Sequence, residues 1–233
     1  MSLHLLPTRR GGAAENMALD FLLLQRYPDA PHARFRHYGW HRPACTFGFG
    51  QKIAWVRTQP PAAPPVDLCR RPTGGGVVDH RDDWTYALVL PRGHALEEAR
   101  AIESYRAVHA ALAAALVAQG VPAELQRATP DVAAPGVCFQ RPELHDVVRA
   151  DTGEKIAGAA QKRNKHGLLF QGSIWRPAAG ASVEWEQFQE NFAAQLATAL
   201  ALPAEAVPWP EFNEGEVDGL TEQYSSPEWI EYR

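Results

Sequence analysis

The chain has 233 residues, 45% hydrophobic and 21% charged, with a formal net charge of −4 at pH 7. That length suits one large domain or two small ones, and a single fold of this size buries about 70–75% of its unfolded surface. The balance excludes a long disordered chain, a collagen-like repeat and a strongly basic nucleic-acid coat. At the amino terminus, MSLHLLPTRRGG lacks the apolar core of a secretion signal, so a cytoplasmic location is expected. Ala13 to Arg26 reads as a helix with Asn16 as a candidate cap, and Ala33 to Gly50 reads as strands packed closely at its glycines. A stiff PPAAPP loop lies between Thr58 and Val66. Val66 to Cys69 and Trp84 to Leu90 are expected as strands on either side of a glycine turn. Leu96 to Gln119, rich in alanine and stopped by Gly120, is the strongest predicted helix. The longest uncharged, mostly apolar stretch, 107–120, lies within it and is too short to span a bilayer. Asp146 to Gly158 reads as strand, Asp-Thr-Gly turn and strand, Gly167 to Trp175 as another strand, and Val183 to Leu202 as a helix ended by Pro203. This order predicts an α+β fold, a mixed and largely antiparallel sheet flanked by helices. No compositional shift marks a linker, so residues 1–233 are expected to form a single domain.

The most informative string is Arg70-Arg71-Pro72-Thr73-Gly74-Gly75-Gly76-Val77-Val78-Asp79-His80. Three consecutive glycines let the backbone approach a ligand and turn its amides toward a phosphate or a developing oxyanion. Arg70 and Arg71 can supply planar, charge-assisted bonds to the same groups. The alternative is a flexible hairpin with solvated arginines. His80, leaving the turn, either lines a pocket or caps the strand. A second string, Lys155-Ile156-Ala157-Gly158-Ala159-Ala160-Gln161-Lys162-Arg163, leads into Gly167 through Gln171-Gly172-Ser173. A lysine directly after a turn and before an apolar strand is positioned by backbone, and its ammonium can stabilise a phosphate, a carbonyl oxygen or a thiolate. An edge-strand surface lysine is the bland alternative. Lys162, Arg163 and Lys165 form a basic run, either solvated or a docking patch for an acidic protein.

Three cysteines make no disulfide framework. Cys45 and Cys69, in strand-like runs, are expected to pack the core. Cys138 opens Cys138-Phe139-Gln140-Arg141-Pro142-Glu143-Leu144-His145-Asp146, and Lys155 follows 17 residues later. By itself Cys138 reads as a buried small hydrophobe or, beside an ammonium, as a thiolate, and His145 is either a base for it or a solvated hairpin residue. Of nine histidines only His37 and His41 have HxxxH spacing, they lie in a strand-like run rather than on a helix face, and with no CxxC a metal site is not expected.

Together these segments resemble the biotin/lipoate protein ligase superfamily, in its lipoate-ligase and octanoyltransferase branch, whose recurring strings look like RRxTGGGxVxH and KxxGxAQxR…xxGS. Weaker similarity at Glu15–Asp20 and from Trp40 to Gln51 extends the resemblance to about residues 10–205. It implies an enzyme that attaches an eight-carbon acyl group to one lysine of lipoyl carrier domains, such as the glycine-cleavage H protein and the E2 subunits of 2-oxoacid dehydrogenases. Residue by residue it points to Arg71, Gly75, Gly76, Val77, Val78 and Lys155, and the same strings add Arg70, Gly74, His80, Gly158, Ala159, Gln171 and Gly172 as candidate substrate-binding residues. Catalysis falls to Lys155 and, by a pattern like CFxxPxxx[ED], to Cys138 as a thioester-forming nucleophile that takes octanoate from acyl carrier protein with no tightly bound cofactor. The runner-up is a ligase using ATP and Mg2+, because Gly76 stands where the cysteine enzymes often carry arginine. A third reading is a non-catalytic acyl binder, because Gln171 stands where the family usually has histidine. The roughly thirty residues after Leu202 leave room for a closing helix rather than the extra domain that many ligases carry.

Overall fold

The computed structural model describes residues 1–25, 32–128, 136–137 and 139–232. In chain order the elements are β1 (Leu3–Leu5), β2 (Arg9–Gly11), α1 (Ala13–Gln25), β3 (Ala33–Trp40), β4 (Ala44–Phe47), α2 (Ile53–Val56), β5 (Asp67–Arg70), β6 (Val77–Asp79) and β7 (Asp83–Pro91). There follow α3 (Ala95–Glu98), α4 (Ala101–Val117), β8 (Ala123–Leu125), β9 (Val147–Arg149), β10 (Lys155–Asn164), β11 (Gly167–Trp175), α5 (Arg176–Ala179), α6 (Trp185–Leu200), β12 (Ala204–Ala206), α7 (Glu216–Ser225) and α8 (Pro227–Ile230). The main sheet runs β12-β1-β3-β7-β11-β10-β9-β8, with β2 beside β3, and a second sheet runs β5-β4-β6. Pairs among β3, β7, β11, β10, β9 and β8 are antiparallel, while β1 pairs in parallel with β12 and β3. The expected mixed, largely antiparallel α+β architecture is therefore present. Among the described residues, no helix is long and apolar enough to cross a membrane.

Every residue of β7 is buried, because helices cover both faces of the main sheet. On one face, Val108, Leu112 and Leu116 of α4 and Phe188, Phe192, Leu196 and Leu200 of α6 recur every four residues and pack on Phe35, Trp84 and Tyr86. The rings interlock edge to face, Trp84 with Phe188 at 5.1 Å and Tyr86 with Phe192 at 5.1 Å. On the other face α1 and α7 close over Tyr38, Ala87, Val89 and Leu169.

Two helix starts differ from the sequence reading. Asn16 is not a cap: it lies inside α1, fully buried, and its amide donates to the Gly39 carbonyl at 3.0 Å, tying the helix to β3. The helix expected from Leu96 is broken at Ala99 and Arg100, which are extended. Arg163 causes the break to persist, donating to the Glu97 and Ala99 carbonyls at 3.0 and 2.9 Å. The guanidinium satisfies acceptors that helix continuation would otherwise take up. Arg163 thus ties the helix break to β10 while its side chain stays exposed.

His37 stacks on Trp84 with ring centroids 4.2 Å apart, its Nδ1–H donated to the Thr85 carbonyl at 2.8 Å. Burial lowers its pKa from 6.5 to about 4. Between those values only the unfolded chain takes up the proton, so stability declines as pH falls through this window. The expected loss from this group is on the order of 3 kcal/mol by pH 4. Urea denaturation at pH 7.5 and pH 5 checks it, and His37→Phe should flatten the dependence.

Candidate active site

The glycine turn is not a hairpin, and the strand after it is not β7. It joins β5 to β6, which flank β4, so the loop must cross the end of β4. That crossing is close: a Cβ on Gly48 would stand 2.1 Å from the Gly75 carbonyl oxygen. The loop's carbonyls are held from below. Arg71 donates through Nη2 to the Gly74 and Gly76 carbonyls at 2.8 and 3.0 Å, and Gln51 donates to the Gly75 carbonyl at 3.0 Å. Gly48 N–H donates to Gly76 O at 3.1 Å and Phe49 N–H to Thr73 O at 2.8 Å. Gly75 takes φ +89°, a conformation glycine adopts without strain. Among the described residues, no hydrogen bond takes up the Gly75 and Gly76 amides. Carbonyls turned down and amides left over make an anion-accepting concavity.

Arg70 departs from its expected role. Its guanidinium is fully buried and donates to the carbonyls of Phe49, Gln51, Trp229 and Ile230, at 2.7 to 3.0 Å. It joins α8 to the chain after β4 and does not line the cavity. Arg71 does line it, braced also on Thr46 Oγ1 at 2.9 Å.

A narrow cavity runs between the two sheets beneath the loop. Its lining includes Gly75, Val78, His80, Gly158, Ala159, Gln171 and Gly172, together with Met17, Tyr38 and Phe139. His80 both lines the cavity and anchors the strand end, meeting Asp83 Oδ2 through Nδ1 and Thr46 Oγ1 through Nε2, each at 2.7 Å. Because the Asp83 carboxylate only accepts, His80 donates its Nδ1–H to it. Gln171 is similarly committed: Oε1 accepts from Thr73 at 2.8 Å, and Nε2 donates to Asp20 Oδ2 at 2.7 Å. Asp20 also binds Arg36 at 2.6 Å and accepts from the Tyr38 hydroxyl at 3.1 Å. Burial and this carboxylate hold the Tyr38 phenol well above its ordinary pKa. Gly172 lies against the Tyr86 ring, where a Cβ would come within 2.1 Å.

Lys155 stands where this cavity widens into a vestibule of about 420 Å3 that Gly75, Gly76, Val137, Arg141, Glu143 and Asp146 also line. Its ammonium pairs with Asp146 Oδ2 at 2.6 Å, both side chains under a tenth exposed. The lysine folds back across Gly158, where a Cβ would be 2.9 Å from Lys155 Cε. The hairpin turn with Gly153 at φ +74° places it there, as the sequence suggests. Val77, a β6 residue, is fully buried and donates its N–H to the Gly136 carbonyl, which brings residues 136–137 to the vestibule.

Cys138 lies outside the described residues. Its neighbours are informative: Val137 lines the vestibule and Phe139 the cavity. Cys45 and Cys69 are buried as expected, and burial pushes the Cys69 thiol up to about 12. His145 does not face Lys155; it lines a separate hollow with Arg106, Glu124 and Arg127. The residue missed by sequence reasoning is Asp146, although it closes the CFQRPELHD string. Away from the cavity, His4, His32 and Glu205 bring three potential metal-ligating atoms within 4.8 Å. The two rings stack face to face at 4.1 Å and the Ser2 hydroxyl bonds both His32 and Glu205.

Known proteins share this chain's fold and part of its sequence. Residues 12–181 match the family described as the lipoyl protein ligase A/B catalytic domain. The octanoyltransferase LipM of Kyrpidia tusciae is 32% identical over 180 residues, 73% of this chain but only 65% of that protein, so the match spans less than two thirds of its length. The LipM of Symbiobacterium thermophilum is 28% identical over 97% of both chains. A bipartite lipoate protein ligase from Thermoplasma acidophilum superposes with a TM-score of 0.71 at 17% identity, covering 100% of this chain and 97% of that one. A lipoate-protein ligase A bound with ATP superposes with a TM-score of 0.73 at 16% identity, covering 99% and 98%.

Proposed function

Because this chain belongs to the lipoyl protein ligase A/B catalytic-domain family, we propose that it transfers an octanoyl group from acyl carrier protein to a lysine of lipoyl carrier domains, through a thioester on Cys138. The observation that carries this reading is the narrow cavity under the glycine loop, opening at Lys155 into a vestibule lined from 136–137. The cavity suits an extended acyl chain, with its carbonyl at the junction. There the Gly75 and Gly76 amides and the Lys155 ammonium face developing negative charge. The Cys138 thiolate attacks the carrier thioester, the carrier thiolate leaves, and the carbonyl re-forms on Cys138. The amine of the incoming lysine then attacks that thioester, loses a proton, and expels the Cys138 thiolate.

Residues 1–233 act in this reading as a single catalytic domain. An apolar cluster in which α1 and α7 pack on strands of both sheets supports it. The carriers are the H protein and the E2 subunits, and the transferase chemistry requires no cofactor. A second reading, ATP- and Mg2+-dependent ligation through an acyl-adenylate, is favoured by Gly76, whose lack of a side chain leaves its amide open to a phosphate at the vestibule.

Intact-mass measurement after mixing with octanoyl acyl carrier protein decides between them. The expected result is one octanoyl adduct, absent from Cys138→Ser and discharged by an apo lipoyl domain. Pyrophosphate release from ATP and octanoate, with no adduct, would establish the ligase instead. Octanoate binding with neither would point to a non-catalytic acyl binder.

A further inference from the structure

The residue before Asp146 has an unusual backbone. His145 takes φ +69°, in the left-handed region that side-chain-bearing residues seldom occupy. Two hydrogen bonds hold it there: its N–H donates to the Gln126 carbonyl at 2.9 Å, and its carbonyl accepts from His109 Nδ1 at 2.7 Å. Gln126 N–H in turn donates to Asp146 O at 2.8 Å, and Glu143 N–H to Asp146 Oδ2 at 2.7 Å. His109 sits on α4, 1% exposed, and among the described residues its Nε2 has no partner. Such a buried imidazole in a helix of alanine and leucine serves no packing need that an apolar residue would not meet better.

We propose that His109 is a positioning residue whose Nδ1–H, donated to the His145 carbonyl, clamps that left-handed turn and so aims Asp146 at Lys155. The titratable groups around its ring are Asp146, His145 and Lys155, together with Tyr105 at 5.8 Å along α4. Burial lowers its pKa, which keeps it neutral. A neutral ring bonded to a carbonyl must carry its proton on Nδ1. The clamp explains why a histidine side chain precedes Asp146 without entering the site: the backbone of His145 is used, not its ring. The functional weight of the clamp rests on the role proposed above for Lys155, but the geometry does not.

The test therefore has a structural and a catalytic arm. Acetic anhydride footprinting, read by mass spectrometry at Lys155, reports whether Asp146 still covers the ammonium. His109→Leu and His145→Val, the latter β-branched and unsuited to positive φ, should raise Lys155 labelling several-fold. His109→Asn, whose amide can donate to the same carbonyl, and His145→Asn, which tolerates the left-handed region, should label as wild type. Octanoyl transfer should follow the footprint, with kcat falling about 10- to 100-fold in the first pair and KM for the acyl donor nearly unchanged. Unchanged labelling in folded His109→Leu, or strong labelling in His145→Asn, overturns the clamp. Raised labelling with undiminished transfer upholds the clamp and removes Lys155 from the reaction instead. Should His109→Leu fail to fold, His145→Val against His145→Asn makes the same comparison.

Discussion

Lys155→Met is expected to lower octanoyl transfer by about 100- to 1,000-fold, the scale of losing one preorganised charge at a developing oxyanion. It should also cost about 3–5 kcal/mol of stability, because Asp146 is left buried without its cation. The two effects are separable. Lys155 and Asp146 are each under a tenth exposed and 2.6 Å apart, so removing one strands the other, whereas removing both leaves no orphaned charge. Lys155→Met combined with Asp146→Leu should therefore recover most of the stability and none of the transfer. Denaturant midpoints and single-turnover acyl transfer on the wild type and the two variants check this. A double variant that regained activity would show that Asp146, not Lys155, limits the chemistry.

Gly48→Ala should be nearly as damaging, although position 48 is outside the glycine string. An added Cβ would lie 2.1 Å from Gly75 O and 2.7 Å from Gly74 C. Both obstacles are backbone, so the loop itself must lift, and it carries with it the carbonyls that Arg71 and Gln51 hold. A displacement near 1 Å costs on the order of 100-fold in rate, and the overpacking about 1–3 kcal/mol. Gly50→Ala is the control: nothing lies within 4 Å of its Cβ and its φ is not positive, so it should stay within about 0.5 kcal/mol. If Gly48→Ala matched that control in transfer and stability, the close crossing over β4 would not constrain the loop.

The parts of the candidate site that were readable from sequence are those in which neighbouring residues share one job. The glycine loop is such a case, since three adjacent residues without side chains have no use in a packed strand. Lys155 is another, placed by a turn only two residues away and a strand that begins with it. Arg70 and Arg71 show the limit. They are adjacent and chemically identical, yet one joins α8 to the chain after β4 and the other braces the loop, because Arg70 ends β5 and Arg71 begins the loop. Asn16 and Arg163 mislead for a related reason: a cap-forming or surface-type residue is drawn to a distant backbone acceptor that no local pattern reveals.

By itself the sequence determined the family resemblance, the α+β class, the loop that offers amides and the burial of Cys45 and Cys69. These follow from local composition, periodicity and contiguous motifs. Only the tertiary structure decided which strands the loop joins, that β4 runs beneath it, and that Asp146 rather than His145 meets Lys155. Those outcomes depend on the pairing of strands far apart in the chain and on one left-handed backbone residue held by a helix 36 residues away. Such contacts are selected by the free energy of the whole packed core, to which every element contributes, and so leave little trace in any one segment.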